Sequence, residues 1–238
     1  MMKKILLICG HGEGDPGAVG NGYQEATLVR EIAPKLKNVL SDYAEVTLFD
    51  VNKNMYKYLK QTSFNFRGFD YVLELHFNAF DGKASGTEIL VHNLETGISV
   101  EEKIVNNISK LGFKNRGVKR RTDLQNMNVC KKQGVSYALL ETCFIDNSKD
   151  MDLHNSKKDD IIKAIADGII EGFGLNKFKN DVQSSVNLLI SPNDITWELN
   201  HTYFPISDIG RFVKELEEAR VKNSSLYWGF YKLVNKIK

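Results

Sequence analysis

The chain has 238 residues, 42% of them apolar and 26% charged, with a formal net charge of +2. That length suits one domain of about 150 residues with a smaller module attached. The near-neutral balance excludes the basic profile of a nucleic-acid binder, and three cysteines without a repeating spacing exclude a disulfide framework.

The opening KKILLIC imitates a signal peptide, but its apolar run covers only residues 5–9. A signal core needs about 7 to 15 apolar residues, so the run reads as a buried first strand bounded by glycine. No segment approaches the roughly 18 apolar residues of a membrane span. A protein made in the cytoplasm without a signal peptide, acting outside only after release, is the expectation.

Leu28, Val29, Ile32, Leu36 and Val39 then form a helical stripe over residues 24–39. AEVTLFD is a second strand, residues 53–66 a second helix, YVLELHF a third strand and TEILVH a fourth. In GISVEEKIVNNISKLG, helical spacing stops at Gly112. SYALLETCF is another buried strand, and DDIIKAIADGIIEGFG a helix closed by glycines. Cys9, Cys130 and Cys143 read as buried, reduced thiols. The alternation predicts an α/β fold, a mostly parallel sheet between helices over residues 1–175.

After a polar linker over 176–184, residues 185–238 hold both tryptophans and a cluster of other aromatics. A small α+β module is expected there. Its helix is SDIGRFVKELEEARV, capped by Ser207, and SVNLLI and LYWGFYKLV are strand-like. Nine basic and seven acidic residues over 176–238 leave charge no leading part. Most of the aromatics serve a core that is otherwise too small; one or two exposed rings would meet sugar rings. Oligomerisation through this module would add apolar burial and multivalent attachment.

Residues 8–26, ICGHGEGDPGAVGNGYQEA, contain Gly12, Gly14 and Gly17 as G-x-G-x-x-G. A dinucleotide loop needs a helix at once after the glycines and an acid about 20 residues on. Here Gly20 and Gly22 break the first turn, and Asp50 lies 33 positions past Gly17. A metal reading fits better. His11, His76 and Glu141 fall at the carboxyl ends of strands, where open α/β sheets place their sites, and Glu25 falls at the start of the first long helix. Two imidazoles and a carboxylate make a catalytic zinc set that leaves one position for water. Taken singly, each is ordinary: a satisfied loop histidine, or an acid favoured by a helix dipole. Their coincidence on one edge favours the metal.

The motifs CGHGEGDPGAVGNGYQE, LHFNAF, GTEILV, NRGVK and LLETCFIDN resemble, in order and chemistry, the zinc-dependent N-acetylmuramoyl-L-alanine amidases called amidase-3. The resemblance runs from residue 3 to about 175. It implies a twisted, mostly parallel sheet, His11, Glu25 and His76 as Zn2+ ligands, and Glu141 as the catalytic glutamate. It also implies peptidoglycan as substrate, cut between muramic acid and L-alanine. The appended module and absent signal peptide look more like a phage endolysin than a secreted autolysin. Rival readings are a zinc carboxypeptidase-like enzyme acting on wall peptides, and a non-catalytic wall-binding protein.

Asn78 either binds substrate or caps a turn. Glu88 reads as a solvent-facing strand residue, with support of an imidazole as the functional alternative. The run KNRGVKRR is a solvated face, or a contact for the acidic stem peptide or an anionic wall polymer. Asp146 and Asn147 are expected to cap the next helix, and His92, His154 and His201 to lie on the surface.

Overall fold

Ile5, Leu6, Leu7 and Ile8 are fully buried, as befits a strand covered on both faces. They belong to β1 (Lys4–Cys9), which lies inside a six-stranded sheet. The structure, a computed structural model, describes residues 2–177 and two further strands, Trp197–Leu199 and Thr202–Phe204. The chain divides into two units, Met1–Lys177 and Phe178–Lys238.

In the first unit, β1 is followed by a two-residue hairpin, β2 (Val19–Gly20) and β3 (Tyr23–Gln24), and then by α1 (Glu25–Leu40). Next come β4 (Glu45–Leu48), α2 (Met55–Gln61), β5 (Tyr71–Asn78) and β6 (Thr87–His92). The unit continues with α3 (Ser99–Ser109), β7 (Asn115–Arg121), α4 (Gln125–Lys132) and β8 (Ser136–Phe144). It closes with α5 (Ser148–Ser156) and α6 (Lys158–Phe173), the latter ended by Gly174 in the left-handed conformation.

The strand order is β4-β1-β5-β8-β6-β7. β4, β1, β5 and β8 run parallel; β6 pairs antiparallel with β8 and parallel with β7. The α/β architecture is as expected, with two qualifications. The last two strands are reversed, so their starts lie at the edge where β1, β5 and β8 end. And β7, formed by the basic run, had not been expected to be a strand.

The two faces of the sheet are covered unequally. On one, α1, α3 and α6 close a large core with Leu7, Leu73, Ile89 and Leu140. On the other, among the described residues, the 7-residue α2 and the 8-residue α4 pack together with Phe49 and Phe66 over Leu6, Ile8, Val72 and Leu139. Helix α2 is shorter than the expected 53–66 because Thr62 is extended and Phe66 turns into this second core, fully buried. Cys9, Cys130 and Cys143 are buried free thiols. In the second unit, β9 (Trp197–Leu199) pairs antiparallel with β10 (Thr202–Phe204), strands not anticipated. The expected helix at 207–221, the runs SVNLLI and LYWGFYKLV, and His201 lie outside the described residues.

Candidate metal centre

β1 delivers the chain to Gly10 and then His11, whose backbone is left-handed at φ 57, an uncommon conformation for a side chain other than glycine. Arg30 of α1 holds this turn. Its guanidinium donates to the carbonyls of Gly10 at 3.1 Å, His11 at 3.0 Å and Ala26 at 2.8 Å. The loop then folds back and caps α1 with backbone instead of side chain: the N–H groups of Glu25 and Ala26 donate to the carbonyls of Ala18 and Pro16. Glu25 is thereby set beside His11 despite their separation along the chain.

The Glu25 carboxylate is the hub. Oε2 accepts from Ala18 N at 2.8 Å and lies 3.2 Å from His11 Nε2. Oε1 lies 2.7 Å from His76 Nδ1 and accepts from Phe77 N at 2.9 Å, where the β5–β8 ladder slips between His76 and Asn78. Ligand atoms of His11, Glu25 and His76 all lie within 4.8 Å of one another. Two glycines make room. A β-carbon on Gly10 would meet His76 Cε1 at 2.4 Å, and one on Gly17 would meet Glu25 Oε2 at 2.6 Å.

Each imidazole keeps one nitrogen towards Glu25 and gives the other to a separate acid. His11 Nδ1 lies 2.9 Å from Asp15 Oδ2. His76 Nε2 lies 3.0 Å from Glu74 Oε1, and Glu74 Oε2 in turn accepts from Asn126 Nδ2 at 2.8 Å and Tyr137 Oη at 2.6 Å. Carboxylates placed this way fix the tautomer and plane of a metal-binding ring, so the donor set fits a divalent cation. Burial opposes charge on both rings, yet the hydrogen bonds that Glu25 accepts from His11, and that Glu25 and Glu74 accept from His76, outweigh it and raise both pKa values. Burial would also raise the Glu25 pKa, but its bonds to His11 and His76 hold it far below the usual carboxylate range.

Glu141 is the register partner of His76 on one side and of Glu88 on the other. Side chains of such partners leave the same face of a sheet, here the thinly covered one. Glu141 Oε2 is buried with no hydrogen-bond partner among the described residues. Burial pushes this carboxyl up to about 7, with His76 opposing and the charges of Glu25 and Glu88 assisting.

All four residues expected at the site thus lie on one edge. Asn78 is engaged within the protein: Nδ2 donates to Glu88 Oε1 at 3.0 Å and Oδ1 accepts from Ala79 N at 2.9 Å. Glu88 is buried, not solvent-facing, and it contacts Asn78 and Arg116 instead of an imidazole. Asn147 caps α5 as expected, whereas Asp146 accepts from Phe80 N and Gly82 N and so pins a loop. His154, expected on the surface, is 1% exposed against the Phe77 ring. The sequence reading passed over Asp15 and Glu74, although they sit at i+4 from His11 and i−2 from His76.

Residues 5–171 match the model of the Amidase_3 family, described as N-acetylmuramoyl-L-alanine amidase. The chain belongs to that family. It is 29% identical over 238 residues to a Staphylococcus aureus protein named "Probable autolysin PH", covering 87% of this chain and 48% of that one. The chain therefore spans about half the length of that relative. It is 28% identical over 187 residues to the sporulation-specific N-acetylmuramoyl-L-alanine amidase of Bacillus subtilis, covering 74% of this chain and 70% of that one. Among solved structures, it is similar to the catalytic domain of the CD27L endolysin targeting Clostridia Difficile. That likeness has a TM-score of 0.59 at 25% identity, covering 72% of this chain and 98% of that one.

Proposed function

We propose that residues 1–175 form a zinc-dependent amidase that cleaves between N-acetylmuramic acid and L-alanine of peptidoglycan. The observation that carries this is the convergence of His11, Glu25 and His76, with Glu141 as the strand partner of His76. Family membership and the amidase relatives support the substrate.

His11, Glu25 and His76 hold the ion, and Asp15 and Glu74 orient the two rings. Zinc, when bound, lowers the pKa of water from 15.7 to roughly 7 and polarises the scissile carbonyl. Glu141 takes the proton of the attacking water and passes it to the leaving amine. Its unpartnered, buried oxygen and raised pKa suit a group that must gain and lose a proton near neutrality.

Residues 185–238 act as the wall-binding module beyond the 176–184 linker, and the protein serves as an endolysin in host lysis; likeness to the CD27L catalytic domain supports the latter role. The test is digestion of purified peptidoglycan with and without a chelator, followed by identification of new termini. Chelator-sensitive release of L-alanine amino termini with intact muramic acid is expected. Cleavage inside the stem peptide would overturn the amidase reading in favour of a peptidase.

A further inference from the structure

Because β6 and β7 are reversed, each delivers one charged residue to the edge that carries the metal ligands. Glu88 is the antiparallel partner of Glu141, so it stands on the same face one strand further from His76. Its carboxylate is engaged at both oxygens: Asn78 Nδ2 donates to Oε1 at 3.0 Å, and Arg116 Nε donates to Oε2 at 2.7 Å. Arg116, near the start of β7, stacks with Cζ 4.9 Å from the centre of the Phe144 ring at the end of β8.

These two contacts fix the plane of the guanidinium but use only one of its five donors. Among the described residues, Nε–H is the one Arg116 donor with a hydrogen-bond partner, and the side chain is 29% exposed. The other arginines of the run are committed elsewhere. Arg120 donates to the carbonyls of Asn93 and Glu95, and Arg121 pairs with both oxygens of Asp123. A planar guanidinium with its two terminal amino groups unspent matches a carboxylate, which it can bind in bidentate fashion.

The spacing says where on a substrate that carboxylate would lie. Neighbouring strands are about 4.8 Å apart, so β7 lies roughly 10 Å from β8 and Glu141. An extended peptide advances about 3.3 to 3.6 Å per residue. With the reach of an arginine side chain, an acidic group one residue beyond the alanine comes within range.

We propose that Arg116, held by Glu88 and Phe144, is a specificity-determining residue that binds a free carboxylate on the peptide side of the scissile amide. This rests on the amidase reading above.

The test compares two soluble muramoyl dipeptides that differ only in whether the residue after L-alanine carries free or amidated carboxyl groups. The full-length zinc-loaded chain is expected to favour the free acid in kcat/KM, chiefly through KM. The factor should be roughly tenfold to a hundredfold, as for one charge-assisted hydrogen bond. Arg116→Gln should abolish the preference, and Arg116→Lys should keep part of it. The preference is a ratio within one protein, so a loss of folded or metal-loaded material does not imitate the effect. Zinc-loaded Glu141→Gln, titrated calorimetrically with both dipeptides, should show the same preference in Kd. A wild-type ratio near one overturns the assignment without any variant, as does an Arg116→Gln ratio equal to wild type. Hydrolysis without preference thus sinks Arg116 alone, whereas no hydrolysis of either dipeptide by the wild-type chain sinks the amidase reading and this inference with it.

Discussion

Glu74 and His76 lie two residues apart on β5, share a face, and touch, with Glu74 Oε1 3.0 Å from His76 Nε2. The contact commits one ring nitrogen and leaves Nδ1 facing Glu25, as the proposed metal site requires. Glu74→Gln should therefore keep the ligand set yet weaken zinc binding by about 10- to 100-fold, the usual cost of losing such an orienting partner. Chelator competition measures it; an unchanged affinity would show that the ring is held by other contacts.

His76→Ala and Glu141→Ala should fail in different ways. The first should lose the metal, read by elemental analysis. The second should retain it and lose about 100- to 10,000-fold in turnover, the share that general acid–base help supplies. An active, zinc-loaded Glu141→Ala protein would remove that residue from the chemistry.

Zinc affinity should fall as pH falls, and from a higher pH than an ordinary histidine would give. Metal binding needs neutral imidazoles, whereas the bonds from Glu25 and Glu74 outweigh burial and raise the pKa of His76, and those from Glu25 and Asp15 do the same for His11. Protons and zinc therefore compete above the usual imidazole range of about 6.5. Calorimetry in buffers of different ionisation enthalpy should show proton release on zinc binding at neutral pH. Zinc uptake without proton release would contradict charged rings in the metal-free site.

Stability should carry a separate pH signature from Glu101 in α3. It is 1% exposed, and burial pushes its carboxyl up to about 7. The folded state then holds a proton that the unfolded chain releases near 4.3, so stability falls as pH rises from about 4.3 through about 7. Glu101→Gln should remove that slope and stabilise the protein at pH 8 by an amount on the order of 3 kcal/mol. Denaturant melts at pH 5 and 8 decide it, and a variant that keeps the full slope would assign the effect to another group.

Removing residues 176–238 should weaken binding to intact cell walls more than hydrolysis of a soluble muropeptide. Cosedimentation with walls and a soluble-substrate assay separate the two. Equal losses would make the tail a structural support.

The clustering of the candidate site was legible because strand ends on one side of an α/β sheet are readable from apolar runs, and His11, His76 and Glu141 each close such a run. Glu25 was legible from the helical stripe behind it. What stayed hidden depended on direction and register. NRGVKRR holds a single strongly apolar residue, Val118, so an edge strand there leaves no alternating pattern. Nor does a strand's composition say which way it runs, so the meeting of Glu88 with Glu141 and Arg116 was not readable. His154 was misplaced because a lone imidazole in the polar helix α5 gives no sign of the Phe77 ring that covers it.

The reversal of β6 and β7 also separates two parts of the sheet edge. The stretch from residue 79 to 86, pinned by Asp146, leads into β6 without contributing a residue to the His11, Glu25 and His76 cluster. Substitutions confined to that stretch leave the strands that place His11, His76 and Glu141 untouched. The segment that joins β5 to β6 and the side chains that cluster at the sheet edge are thus held by separate anchors, Asp146 for the one and Glu25 for the other.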